Sequence, residues 1–315
     1  MPGYGNFVPS RDIPDLSGKV ILVTGGTTGL GEGCVREFAA HNPSHIYFTG
    51  RNETAAKTLI SDICMKHPTA SISFIKMDLT SLRAVKEAAR GFQHGRLDIL
   101  MNNAGIASNP PVLSTDGYEI QFATNHLGHA MLFQQLLPVL LKTAQEPGSD
   151  VRIINNTSEA YAFHRLIKGG ISFSELDAGS PMSRTVLGPW ARYGQSKLAN
   201  MLFTTECARR YPQITSVSIH PGLVRTAMTT SSMSRSKQLF LGATARLTGE
   251  KWIEPDEGVL NQLWASAGAK KGELKNGGFY KPGGIESTQV LTAEAKDEAL
   301  ARRLWEWTDK VLQKF

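Results

Sequence analysis

Cysteine is scarce in this chain, and the three that occur, Cys34, Cys64 and Cys207, stand far apart. An odd count without a CxxC pair argues against a disulfide framework and a cysteine zinc site, and fits a reducing compartment. Long apolar runs are missing as well. A membrane span needs roughly 18 apolar residues, and the nearest approach, HAMLFQQLLPVLL, is interrupted by glutamines and by Pro138. The opening stretch MPGYGNFVPSRDIPDLSG is rich in glycine and proline but has no apolar h-region of the kind a signal peptide carries. The expectation is a soluble cytoplasmic protein with residues 1–17 as a loose N-terminal arm. Strong charge of one sign is absent too: 34 Lys+Arg against 28 Asp+Glu leave +6. The basic residues are scattered, and GAKKGELK, the densest patch, has no interleaved aromatics. Nucleic-acid and membrane partners are therefore not expected, whereas a mild positive excess suits a small anionic ligand.

What is present is a rhythm. Short β-branched runs alternate with longer amphipathic stretches, the pattern of a parallel sheet flanked by helices. Strands are expected at KVILVT, HIYFT, SISFIKM, LDILMN, VRIINN and TSVSIH, with a last short one at GGFYK. Helices are expected near 30–41, 53–66, 81–93, 116–145 and 190–211, and from about Ala293. No linker or repeat divides the chain, so residues 18–315 read as one α/β domain, a doubly wound Rossmann-type sheet. Segments 159–189 and 223–255 break the rhythm. Both follow the carboxyl ends of strands, where open α/β sheets bind ligands, and their Phe163, Leu166, Met182, Met228, Met233, Leu239 and Phe240 suggest a pocket for a sizeable apolar molecule.

Four stretches carry chemistry. Strand KVILVT runs into GGTTGLGEG, where Gly25, Gly29 and Gly31 allow a tight turn and Thr27, Thr28 and Leu30 fill the positions between. Helix N-terminal amides beyond such a turn face an anion, here a pyrophosphate. About 20 positions beyond the turn, a dinucleotide fold reads the adenine ribose, with an acid for a 2′-hydroxyl or an arginine for a 2′-phosphate. That place holds Arg51, followed by Asn52 as a further hydrogen-bonding group, and points to NADP(H); the alternative is that Glu53 turns to the ribose. NNAG, Asn102, Asn103, Ala104 and Gly105, ends the fourth strand. In RYGQSKLAN, Tyr193 and Lys197 stand one helical turn apart, so phenol and ammonium share a face and the cation favours the phenolate.

Glycine turn, NNAG and YxxxK in this order resemble the short-chain dehydrogenase/reductase family of Rossmann-fold oxidoreductases, over about residues 18–285. The long gap between Ser158 and Tyr193, with YGQSKLANMLF, resembles the retinol-dehydrogenase-like branch. The resemblance implies that Tyr193 is the catalytic acid/base, that Lys197 lowers its pKa and holds the nicotinamide ribose, that Ser158 orients a carbonyl, and that Asn125 serves a proton relay. It further implies cofactor contacts from Asp78 and Leu79 to adenine and from Pro221, Gly222, Val224 and Thr226 to the carboxamide. The implied activity is NADP(H)-dependent hydride transfer between nicotinamide and the carbonyl or alcohol carbon of a small molecule. The alternatives are a cofactor-binding regulator without turnover, or an epimerase or enone reductase on the same scaffold. No metal is expected: His126 and His129 have ligand-like spacing but no acidic partner nearby, and read as helix packing. A homo-oligomer stays open. Trp190, three residues before Tyr193, stands between pocket lining and core.

Overall fold

The computed structural model describes residues 5–183, 187–226, 242 and 251–315. Of segment 223–255, expected to shape the pocket, residues 227–241 and 243–250 lie outside the described residues, and with them Met228, Met233, Leu239 and Phe240.

A short helix α1 (Pro9–Asp12) precedes strand β1 (Val20–Val23), which leads through the glycine turn into α2 (Gly29–Ala39). Then follow β2 (His45–Gly50), α3 (Glu53–Lys66), β3 (Ile72–Lys76), α4 (Leu82–Ala88) and β4 (Ile99–Asn102). After α5 (Ile120–Phe122) the helix widens into one π turn, Ala123–Leu127, and continues as α6 (Gly128–Ala144), which runs through Pro138. Strand β5 (Arg152–Asn156), a 3₁₀ helix Glu159–Leu166, α7 (Phe173–Asp177), α8 (Gly188–Arg210) and β6 (Thr215–Ile219) come next. Beyond them lie β7 (Leu223–Val224), β8 (Trp252–Ile253), β9 (Phe279–Lys281), β10 (Ile285–Glu286) and a last helix, Glu298–Leu312.

The main sheet runs β10-β9-β6-β5-β4-β1-β2-β3, parallel except at β9–β10, while β7 and β8 pair separately. Strand order reverses direction at β1, between β2 and β4, and this is where a doubly wound sheet opens a crevice at its carboxyl ends. The strands are near-continuous apolar runs because both faces are covered. Along β1, Val20 and Leu22 enter the core made with α4, α6, α8 and the last helix. Ile21 and Val23 enter the opposite core, with α2 and α3.

Residues 7–16 depart from the loose arm expected of them. Phe7, Ile13 and Leu16 are buried in the second core, and the Phe7 ring lies where a side chain at Gly268 would have to go. Three apolar residues at irregular spacing are enough to bind the arm down, although no period announces them. The last helix begins at Glu298, later than the Ala293 expected, because Asp297 caps it by accepting from the Ala299 and Leu300 amides.

Candidate active site

Gly25 and Gly29 have φ of +66° and +58°, the left-handed region where a side chain is strained. Gly31 is bare for a different reason: a Cβ there would fall on the Gly25 carbonyl. At Gly25 and Gly31 the turn is thus packed closely against its own backbone and against the NNAG loop. Thr24 stitches it to NNAG, its hydroxyl accepting from the amides of Asn103 and Ala104 at 3.0 Å each. Asn103 donates its side-chain amide to the Thr24 carbonyl at 2.9 Å and accepts from Asn156 and Gln262.

One cavity of about 810 Å³ crosses the carboxyl ends of the strands. Gly25, Thr27, Thr28, Gly29 and Leu30 line it, as do Arg51, Asp78 and Leu79, then Asn103, Ala104 and Gly105, then Ser158, Tyr193 and Lys197, and finally Pro221, Gly222, Val224 and Thr226. Residues from seven separate stretches of sequence therefore meet in one space. Gly31, Asn102 and Asn125 are not in the lining. Asn102 is buried behind it and donates to Asn155 at 2.8 Å. Asn125, wholly buried on the π turn, donates to Ile106 O at 3.0 Å and Ser196 Oγ at 2.9 Å and accepts from Ile106 N at 2.9 Å. Its side chain fixes the loop after NNAG and touches the catalytic helix from behind.

Tyr193 and Lys197 lie on α8 as their spacing predicts, with the ammonium 5.7 Å from the phenol ring centre. Lys197 donates to the Asn156 carbonyl at 3.0 Å, and Asn200 Nδ2 donates to the same oxygen at 3.0 Å. Both members of the pair are buried, and burial reverses the expected direction at the phenol. The Tyr193 hydroxyl is pushed up to about 12, with a hydrogen bond to Ser158 pulling the other way, and Lys197 is brought down to about 8. The neighbouring charge is visible in the spacing; the loss of water around both groups is not, and it dominates. Ser158 caps the 3₁₀ helix of the insertion, accepting from the Ala160 amide at 3.2 Å.

At the far end, Arg51, Asn52, Thr27, Thr28 and Lys76 surround a side hollow together with Glu53. Glu53 is held by Lys76 at 2.9 Å. Asn52 spends its side-chain oxygen on capping α3, through the Ala55 amide at 3.0 Å. Lys76 was not among the expected site residues. Its signal is register: it pairs with Gly50, beside Arg51, in the β2–β3 ladder.

Phe163 and Trp190 line the cavity beside Tyr193, their rings 5.6 Å apart, and Trp190 stands edge-on to Tyr193. Leu166 is exposed and Met182 is buried outside the lining, so neither shapes the cavity wall directly. His126 and His129 are taken up by packing hydrogen bonds, His126 to Thr308 and His129 to Thr24 and the Asn125 carbonyl. Among the described residues no cluster of His, Cys, Asp or Glu could hold a metal ion, and no helix is long and apolar enough to cross a membrane.

The family model for short chain dehydrogenase matches residues 19–167. The chain is 34% identical to the short-chain dehydrogenase/reductase drtF of Aspergillus calidoustus, covering 96% of each. It is 30% identical to the short-chain dehydrogenase TIC 32 A, chloroplastic, of Brassica napus, over 99% of this chain and 95% of that one. In three dimensions it is similar to the NADPH-bound carbonyl reductase from chicken fatty liver, with a TM-score of 0.61 and 26% identity, covering 85% of this chain and 98% of that one. With the glycine turn, the NNAG loop and the Tyr193–Lys197 helix gathered in one crevice, these likenesses make the chain a member of the short-chain dehydrogenase family of oxidoreductases.

Proposed function

We propose that the protein is an NADP(H)-dependent oxidoreductase that interconverts a carbonyl and an alcohol on a sizeable apolar small molecule. The observation that carries this reading is the meeting of Tyr193, Ser158 and Lys197 with the glycine turn in one cavity. The residues fit a dinucleotide: a turn with Gly25, Gly29 and Gly31 admits a pyrophosphate against backbone amides, and Asp78 and Pro221–Thr226 flank the two ends. When bound, the nicotinamide supplies or accepts the hydride.

The chain's own groups do the rest. Ser158 and Tyr193 hydrogen-bond the substrate oxygen, and Tyr193, protonated at neutral pH because its pKa is near 12, gives up its proton as negative charge builds there. Lys197, still charged below about pH 8, stabilises the phenolate left behind and binds the ribose. The protonated phenol is the form from which carbonyl reduction starts. Asn125 serves the relay through its place behind Ser196 and Ile106. Phe163, Trp190 and Ile106 give the substrate end an apolar and aromatic wall.

Preference for NADP(H) follows from Arg51 and Lys76 flanking one hollow while Glu53 is engaged by Lys76. A guanidinium makes forked, charge-assisted contacts to phosphate oxygens. The test is cofactor oxidation followed at fixed pH across ketones, aldehydes and quinones with NADPH and with NADH. Turnover of at least one carbonyl class with kcat/KM favouring NADPH is expected. Tight NADPH binding with no turnover of any carbonyl would instead mark a regulator, and a preference for NADH would overturn the cofactor assignment.

A further inference from the structure

We infer that Arg192, the residue before Tyr193, is a positioning residue that sets the shape of the substrate end of the cavity by tying two of its surrounding segments to the catalytic helix. Its side chain is among the largest wholly buried ones, 1% exposed, and it does not reach the cavity itself. The guanidinium fork instead holds two backbone carbonyls: Nη1 donates to Met182 at 2.9 Å and Nη2 to Asn109 at 2.8 Å. Asn109 lines the cavity in the loop after NNAG, and Met182 belongs to the long insertion that supplies Phe163. The third nitrogen, Nε, faces Glu119 at 3.4 Å, a carboxylate buried completely. The other Glu119 oxygen accepts from the Phe122 amide at 2.8 Å and so caps the helix that becomes the Asn125 π turn.

A second observation points the same way. Among the described residues only four besides glycine have positive φ, and three of them cluster around this arginine: Ser108 beside Asn109, Met182 itself, and Leu187 at the start of α8. Such conformations cost about 1–3 kcal/mol each and persist only where the surroundings impose them. Met182 is itself one carbonyl that Arg192 holds, and Ser108 directly precedes the other, Asn109. A buried ion pair is weak evidence for stability, since apolar replacements often match it. The arrangement is explained by geometry: one planar fork fixes three segments at once, which the single ammonium of lysine cannot do.

The proposal rests on the cavity being a substrate site, and its test is arranged to fail separately. Hydrogen exchange is measured on the free protein for wild type, Arg192→Lys, and the double variant Arg192→Met with Glu119→Gln, which leaves no unpaired buried charge. Exchange in 105–112 and 178–183 is expected to quicken by about tenfold or more, the scale of losing a charge-assisted hydrogen bond, while β1, β4 and β5 keep their protection. In steady-state kinetics with NADPH, kcat/KM for bulky aromatic ketones is expected to fall about tenfold further than for a small aldehyde, mostly through KM. Unchanged exchange in both segments overturns the proposal. So does a uniform rise that includes the strands, which is the mark of a merely structural residue, or an equal loss for large and small carbonyls. Should no carbonyl be turned over by wild type, the functional reading fails while the exchange experiment still decides the role of Arg192.

Discussion

Replacing Lys197 by methionine is expected to make the protein more stable and far less active. The lysine is completely buried, and its pKa falls from 10.5 to about 8. At about 1.4 kcal/mol per pKa unit, keeping the charge inside at neutral pH costs roughly 3 kcal/mol. Methionine of similar length removes that cost. The hydrogen bond to Asn156 O is lost, at about 1 kcal/mol, but the carbonyl is not orphaned because Asn200 still donates to it. A net gain of roughly 2 kcal/mol remains, worth about 3 °C in Tm for a chain of this length. The gain depends on pH in a defined sense. A folded-state pKa below the unfolded one means that between about pH 8 and 10.5 the folded lysine is neutral while the unfolded one is charged, so unfolding takes up a proton and wild-type stability rises with pH. Urea unfolding of both proteins at pH 7, 9 and 11 is the assay. The advantage of Lys197→Met should be full at pH 7 and shrink away by pH 11. A variant less stable than wild type at pH 7, or a difference that does not change with pH, would refute the reasoning.

Tyr193→Phe should keep NADPH affinity while lowering kcat by ~10² to 10⁴-fold, the usual contribution of a general acid; near wild-type turnover would remove the tyrosine from that role. Arg51→Asp should weaken NADPH far more than NADH, by repulsion of a 2′-phosphate, and kinetics with both cofactors would expose an indifferent Arg51. Gly31→Ala places a methyl group on the Gly25 carbonyl, and overpacking of this kind typically costs about 1–3 kcal/mol; a fluorescence titration should show NADPH binding impaired, and normal binding would mean the turn can shift.

The sheet was legible because its strands are buried on both faces and so carry apolar runs such as VILV in β1 and ILM in β4. That Tyr193 and Lys197 lie together on α8 was legible because a four-residue spacing depends only on helix period. What escaped depends on distance through space. Lys76 comes beside Arg51 through strand register, and the arm is held by single apolar side chains without a period. The pair β7–β8 and strand β10 are too short to show alternation, whereas β9 was expected at GGFYK. The 3₁₀ helix Glu159–Leu166 read as irregular because three residues per turn fit neither period sought. For the phenol, a sequence displays the charged neighbour but not the desolvation, and the second decided the direction.

The seat of Phe7 bears on how the chain is made. Residues 7–16 are synthesised well before Trp264 to Gly268, against which Phe7 packs. Domains begin to fold from the N-terminus during synthesis, so β1 to β5 can pair while the arm still lacks its partner. Tens of seconds of elongation separate the two at ordinary rates. Through that interval the Phe7 ring lacks its seat beside Gly268, and its docking becomes a late event in the folding of this domain.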